Sequence, residues 1–380
     1  MSVFKEKMVA LRHDLHRYPE LEFNLGRTKK IVAKFLRDLG MEVYEGTGVV
    51  GILRSGLGNR AIGLRADMDA LPIEEKASHD HVSKYSGAMH ACGHDGHTTM
   101  LLSAAANLAK NCDFEGTVVF IFQSNEEHGL GAKAMIEEGV LKKFPVDEIY
   151  GMHNLPGRAV GEISTRFGQI CASESLFEIK IVGKGGHASM PHTGVDTITV
   201  GAELVMSLQT IVSRKMAPSS GVVVSFTEFK SDGQRNVLSG EVVLKGDVRA
   251  RRPDDREMVE KFMRQISHGI AEAHAVKFKM SFDTQFTEVI NQKEPTQAVV
   301  RAARKIGLTT IDNCEPMSFS EDFAQFSSIV PGCFLMIGNG TIGVHGQSLH
   351  SATYDFNDDL LTIGAEFWAS LVRDRLPLTD

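Results

Sequence analysis

Apolar positions recur at helical spacing from the start of the chain: Val3, Phe4, Met8, Leu11 and Leu15 fall on one face. Residues 28–39 repeat that period and Gly40 closes it, which predicts a second amphipathic helix. Contiguous apolar runs then take over. Residues 49–53 and 61–64 read as strands, 98–110 as a helix of small residues, and 117–122 as a buried strand. Residues 130–139 read as a helix, 148–152 as a strand and, much later, 333–337 as another. This alternation predicts an α/β domain whose central, mostly parallel sheet is covered by helices on both faces.

Between Ser173 and Phe282 the texture changes. Strands at 175–182, 221–229, 241–249 and 276–282 enclose helices at 195–212 and 254–273. That is the β-α-β-β-α-β order of a ferredoxin-like unit. The expected organisation is therefore a catalytic domain made of 1–172 and 286–380, interrupted by an inserted lid or dimerisation domain at 173–285.

Composition narrows the classes of function. A chain of 380 residues exceeds what one core usually serves, which agrees with two domains. The formal net charge of −7 is spread without blocks, so neither nucleic acid nor an anionic membrane is an expected partner. No apolar run approaches membrane-spanning length. The five cysteines, Cys92, Cys112, Cys171, Cys314 and Cys333, are scattered and odd in number, which does not make a disulfide framework. The first residues carry no secretory apolar segment, so a reducing cytoplasm is the expected compartment.

The chemistry concentrates in His90-Ala-Cys-Gly-His-Asp-Gly-His97, which combines a thiol, three imidazoles and a carboxylate. Buried, each of these groups needs a partner, and together they are the donor types of a zinc-class ion. Cys92 and His94 alone could be a core cysteine beside a surface histidine. Glu126-Glu127 follows an apolar strand, so that one carboxylate can bind a metal while the other holds a water. An acidic pair opening a helix would be the plainer explanation. His153 and His350 also lie just beyond predicted strands, where sites of open α/β sheets gather. A third cluster, Gly183-Lys-Gly-Gly-His-Ala-Ser-Met-Pro-His192, is a glycine-rich turn with two histidines in the inserted domain.

Taken together, these segments resemble the peptidase M20 family of metal-dependent hydrolases. The likeness is strongest to its amidohydrolase branch of hippurate hydrolases, N-acyl-amino-acid deacylases and auxin-conjugate hydrolases. The matching stretches run from His13-Asp-Leu-His-Arg-Tyr-Pro-Glu-Leu21 through Arg65-Ala-Asp-Met-Asp-Ala-Leu-Pro72 and the later clusters to Ser320-Glu-Asp-Phe323 and the segment 349–357. The resemblance implies two divalent metal ions per subunit, of zinc, manganese, cobalt or nickel type, held by Cys92, His94, Glu127, His153 and His350. It implies Glu126 as general base, Asp69 as a carboxylate orienting a ligand, and His187 as a histidine reaching the partner subunit's site in a homodimer. Asn236 and Arg249 match the positions that hold the substrate's carboxylate, and the implied substrate is an N-acyl amino acid. Ser124-Asn125 and His128 stand where relatives usually carry Pro-Ala and Gly, a departure that bears on substrate preference.

Overall fold

The computed structural model describes residues 3–378. Two helices open the chain, α1 (Val3–Arg17) and α2 (Gly26–Asp38), and α2 buries Val32, Ala33 and Leu36 on one face. Then come β1 (Glu42–Glu45), β2 (Val49–Ser55), β3 (Ala61–Asp67), α3 (His94–Asn111), β4 (Gly116–Gln123) and β5 (Glu148–Pro156). These strands belong to an eight-stranded sheet in the order β1, β2, β4, β3, β5, Gly332–Gly340, Ile163–Ser164, Thr310–Ile311. Its centre is parallel: β3 lies between β4 and β5, and Gly332–Gly340 pairs in the same sense with β5. β1 and β2 continue it antiparallel. The sequence Gly-Thr-Val-Val-Phe-Ile-Phe-Gln of β4 is buried almost end to end, as a strand covered on both faces requires. Against the sheet, α3 and the C-terminal helix Leu360–Arg375 share a core with Met100, Leu101, Leu108, Phe367 and Leu371.

The chain divides into two compact units. The first comprises Met1–Ile170, Val289–Pro316 and Asp322–Asp380, and the second Cys171–Glu288 with Met317–Glu321. The second unit is a four-stranded antiparallel sheet ordered Val223–Ser231, Glu241–Ala250, Ser173–Val182, Lys277–Phe286. Helices Thr197–Thr210 and Pro253–Ala273 pack on it through Leu204, Leu208, Val259 and Met263. The order is the ferredoxin-like one. Its first helix is shorter than the apolar pattern suggested: Asp196 caps it by accepting from the Ile198 amide, and a π-helical turn at Ile211–Lys215 ends it.

Among the described residues no helix is long and apolar enough to cross a membrane.

Candidate metal centre

The first unit gathers its polar groups at the carboxyl ends of the parallel strands. Asp67 is the last residue of β3, Asp69 lies two residues beyond it, and the Glu126-Glu127 pair follows β4. Two placements differ from the sequence reading. His153 lies inside β5 rather than after it, and His94 is the first residue of α3, which begins four residues before the predicted start. The reason is Gly93. It takes a left-handed conformation with φ 89°, and a Cβ there would stand 2.4 Å from Asn154 Nδ2 and 2.6 Å from Tyr354 Oη. The chain thus turns sharply between Cys92 and His94, and both side chains stay on the buried side.

Three donor atoms from Cys92, His94 and His153 lie within 4.8 Å of one another, and so do those of Cys92, Glu127 and His350. Cys92 Sγ is 3.3 Å from His153 Nε2. The other nitrogen of His153 is 2.7 Å from the Asn154 carbonyl, so Nδ1 carries the proton and Nε2 presents its lone pair. His94 Nε2 stands 3.8 Å from both Asp67 Oδ2 and Glu127 Oε1 and 4.0 Å from Glu126 Oε2. Glu127 Oε2 is 3.6 Å from His350 Nε2. Asp69 holds the glutamate pair by its backbone: Oδ1 accepts from the Glu126 amide at 3.0 Å and Oδ2 from the Glu127 amide at 3.2 Å. Just before them Asn125 takes a left-handed φ of 53°, and His350 takes one of 63°. Both residue types are among those that enter the left-handed region more readily than most, and such backbone collects at functional sites.

These residues fit a divalent metal on grounds of their own. Neither ring nitrogen of the fully buried His94 has a hydrogen-bond partner, nor does Glu127 Oε1. Buried polar atoms are seldom left so, and sulfur, nitrogen and oxygen donors converge here. Charge tells the same story. Burial alone would lower the His94 pKa, but Asp67, Glu127 and Asp69 raise it to about 10. Burial pushes Glu127 up to about 7 despite the attraction of His94. The Cys92 thiol is raised well above its ordinary value by burial and by Glu127, Glu126 and Asp67, and burial together with His97 keeps His153 neutral. A cation reverses this logic, because it ionises a thiol that its acidic neighbours otherwise keep protonated.

Further residues support the site without having been given a role in the sequence. His97 is committed at both nitrogens: Nδ1 lies 2.6 Å from Asp67 Oδ1, and Nε2 accepts from the Asn154 amide at 3.0 Å. Asn154 Nδ2 donates to the Cys92 carbonyl at 2.7 Å, and Tyr354 Oη donates to Asn154 Oδ1 at 2.7 Å. Asp67 accepts from buried Arg65 at 2.8 Å. His94 and His97 of the eight-residue motif thus have different fates, and nothing in their spacing separates them.

The remaining site residues lie in the second unit. His187 and Val237 pair across a short ladder, which sets Asn236 beside Ala188. His187 is exposed, and its Nδ1 contacts Ser189 Oγ at 2.8 Å. The guanidinium of Arg249 is already engaged: it donates to Glu174 at 2.6 Å, Asp247 at 2.8 Å and Ser320 Oγ at 2.8 Å.

Strand-end clusters of this kind on a parallel sheet, with a ferredoxin-like insertion, define a class of metal-dependent hydrolases. Residues 63–374 match the model of peptidase family M20/M25/M40, and the chain belongs to that family. Hippurate hydrolase of Campylobacter jejuni is 38% identical over 368 residues, covering 95% of this chain and 94% of that one. N-acetylcysteine deacetylase of Bacillus subtilis is 34% identical, with 97% of each chain covered. The crystal structure of the Bacillus subtilis YXEP protein, described as a dinuclear metal-binding peptidase from the M20 family, superposes with a TM-score of 0.86. It is 31% identical, and 97% of each chain is covered. The chain is an amidohydrolase of this family, as the motifs suggested.

Proposed function

We propose that the protein hydrolyses the amide bond of N-acyl amino acids, of N-acetyl or N-benzoyl type, to a carboxylic acid and a free amino acid. The observation that carries this reading is the glutamate pair. One carboxylate clamps both backbone amides, so Glu126 and Glu127 are held as a unit facing the thiol and imidazole donors. Cys92, His94, Glu127, His153 and His350 would hold two divalent ions. Bound there, such ions supply Lewis-acid polarisation of the scissile carbonyl and lower the pKa of water. Glu126 accepts the proton of the attacking water and delivers it to the leaving nitrogen as the carbon–nitrogen bond breaks. His187 donates to the oxygen of the acyl carbonyl, and its action across subunits makes a homodimer the active form. Asn236 hydrogen-bonds the amino acid's carboxylate. Arg249, bound by Glu174, Asp247 and Ser320, adds positive charge there rather than a free fork of donors.

The test is a panel of N-acetyl and N-benzoyl amino acids and dipeptides, assayed with zinc or manganese, varying the acyl and amino halves separately. An N-acyl amino acid is expected to give a kcat/KM at least about tenfold above that of any dipeptide. Faster turnover of dipeptides would replace this reading with a peptidase. No turnover of either class would remove both.

A further inference from the structure

A second cluster of ligand-type side chains lies in the first unit, made by α1 and the long connection from β3 to α3. Residues 72–88 of that connection contain neither helix nor strand, an unusual length of irregular backbone inside a compact unit. The loop is closed at its neck, where Leu71 and Met89 exchange two backbone hydrogen bonds of 3.0 Å. It leads directly to Cys92. Within it, Glu75 meets His79 and the α1 residue His16.

The donor atoms of His16, Glu75 and His79 lie within 4.8 Å of one another. Glu75 Oε1 is 3.2 Å from His16 Nε2 and 3.1 Å from His79 Nε2. Tetrahedral ligands about 2.0–2.1 Å from a zinc-class ion stand about 3.3 Å apart, so the spacing is that of a coordination shell. His79 Nε2 is close to the carboxylate yet not aligned as a hydrogen bond, and its Nδ1 is also without a partner. Each ligand has its own support. His16 Nδ1 lies 2.9 Å from Asp95 Oδ2, the carboxylate–histidine pairing that orients metal-binding imidazoles. Glu75 Oε2 accepts from the Ser83 amide at 2.7 Å, and the ring of His79 stacks on that of His81 at 3.7 Å. The surroundings favour a cation. Asp95, Asp355 and Asp358 face the guanidinium of Arg12, and Glu75 adds a fourth carboxylate against His16.

From this arrangement we infer that His16, Glu75 and His79 form an additional binding site for one divalent ion of the zinc class, separate from the centre around Cys92 and His94. The three ligands leave a fourth position for water. The ion ties the irregular loop to α1 and so steadies the segment that ends at Cys92. The competing arrangement has a proton in its place, with His16 as an imidazolium bridging Asp95 and Glu75.

The test is equilibrium dialysis of the full-length protein against zinc, followed by elemental analysis. Wild type is expected to retain one equivalent more than His79→Gln, with circular dichroism confirming that the variant is folded. Glu75→Gln, which keeps the side-chain volume, should lose the same equivalent. His192→Gln removes an exposed histidine of the second unit and should retain the wild-type content. Equal zinc in wild type, His79→Gln and Glu75→Gln overturns the site. So does an equal loss from His192→Gln, which would mark the extra zinc as adventitious surface binding.

Discussion

Glu126 and Glu127 are neighbours in the chain, yet the proposed chemistry asks them to behave differently. Their shared anchor on Asp69 and their distances to His94 make that division testable. Glu126→Gln keeps the backbone clamp and the ligands, so metal content should match wild type while kcat falls about a hundredfold or more. Unchanged kcat would show that another group accepts the proton. Cys92→Ala should act at the other step, weakening metal affinity by more than the 10–100-fold typical of lost supporting contacts. Elemental analysis after dialysis reads this directly, and full metal retention would exclude the thiolate. The residue types of this cluster were legible in the sequence because a thiol, imidazoles and carboxylates have few other reasons to be buried together. What His97 does was not legible. Its two nitrogens are spent on Asp67 and Asn154, and only the folded strands show that. The pairing of His79 with Glu75 and His16 was equally hidden, because Glu75 and His79 lie 59 and 63 residues beyond His16 in the chain, within an irregular loop.

Elements with a clean period were readable, and those whose boundaries depend on one unusual residue were not. The helix α3 starts four residues before the predicted 98, because Gly93 in the left-handed region is what starts it. The helix Lys293–Lys305 lies outside the elements that the apolar pattern predicts; Pro295 sits in its first turn, where no intrahelical amide bond is lost. Gly93 also supplies a test at this scale. Gly40 and Gly93 both have positive φ, 79° and 89°, but a Cβ at Gly40 meets nothing within 4 Å while one at Gly93 meets Asn154 and Tyr354. Gly40→Ala should therefore cost only the backbone term, about 1–2 kcal/mol. Gly93→Ala should cost about 2 kcal/mol more through the clash and also lower metal occupancy. Denaturant titration gives both values, and equal losses would mean that the close approach is easily relieved.

At the scale of the first unit, a buried ion pair ties the last helix to the sheet. Arg375, in the last turn of Leu360–Arg375, donates to both oxygens of Glu148 at 2.8 and 2.6 Å, and Tyr150 Oη adds a third bond at 2.6 Å. Burial raises the Glu148 pKa, but the hydrogen bonds from Arg375 and Tyr150 and the charge of Arg375 outweigh it and leave the carboxyl below its usual value of 4.5. A lowered folded-state pKa means that the stabilisation is complete above the unfolded value and is lost as pH falls through the folded one. Glu148→Gln should therefore flatten the fall of the thermal midpoint below about pH 4.5 while costing about 2 kcal/mol near neutrality, because it leaves Arg375 with Glu294, 3.2 Å away, as its remaining carboxylate partner. A wild-type acid limb in the variant would assign acid lability to other groups. The same sheet has a consequence for how the molecule is made. β5 is hydrogen-bonded to Gly332–Gly340, yet the whole second unit is translated between them. Until the ribosome has released that distant strand, β5 waits with one flank unpaired, and an open flank of this kind invites pairing with other chains. Nascent molecules of this protein should depend on chaperones through that interval, and circular permutants that bring the two strands together in synthesis should refold faster.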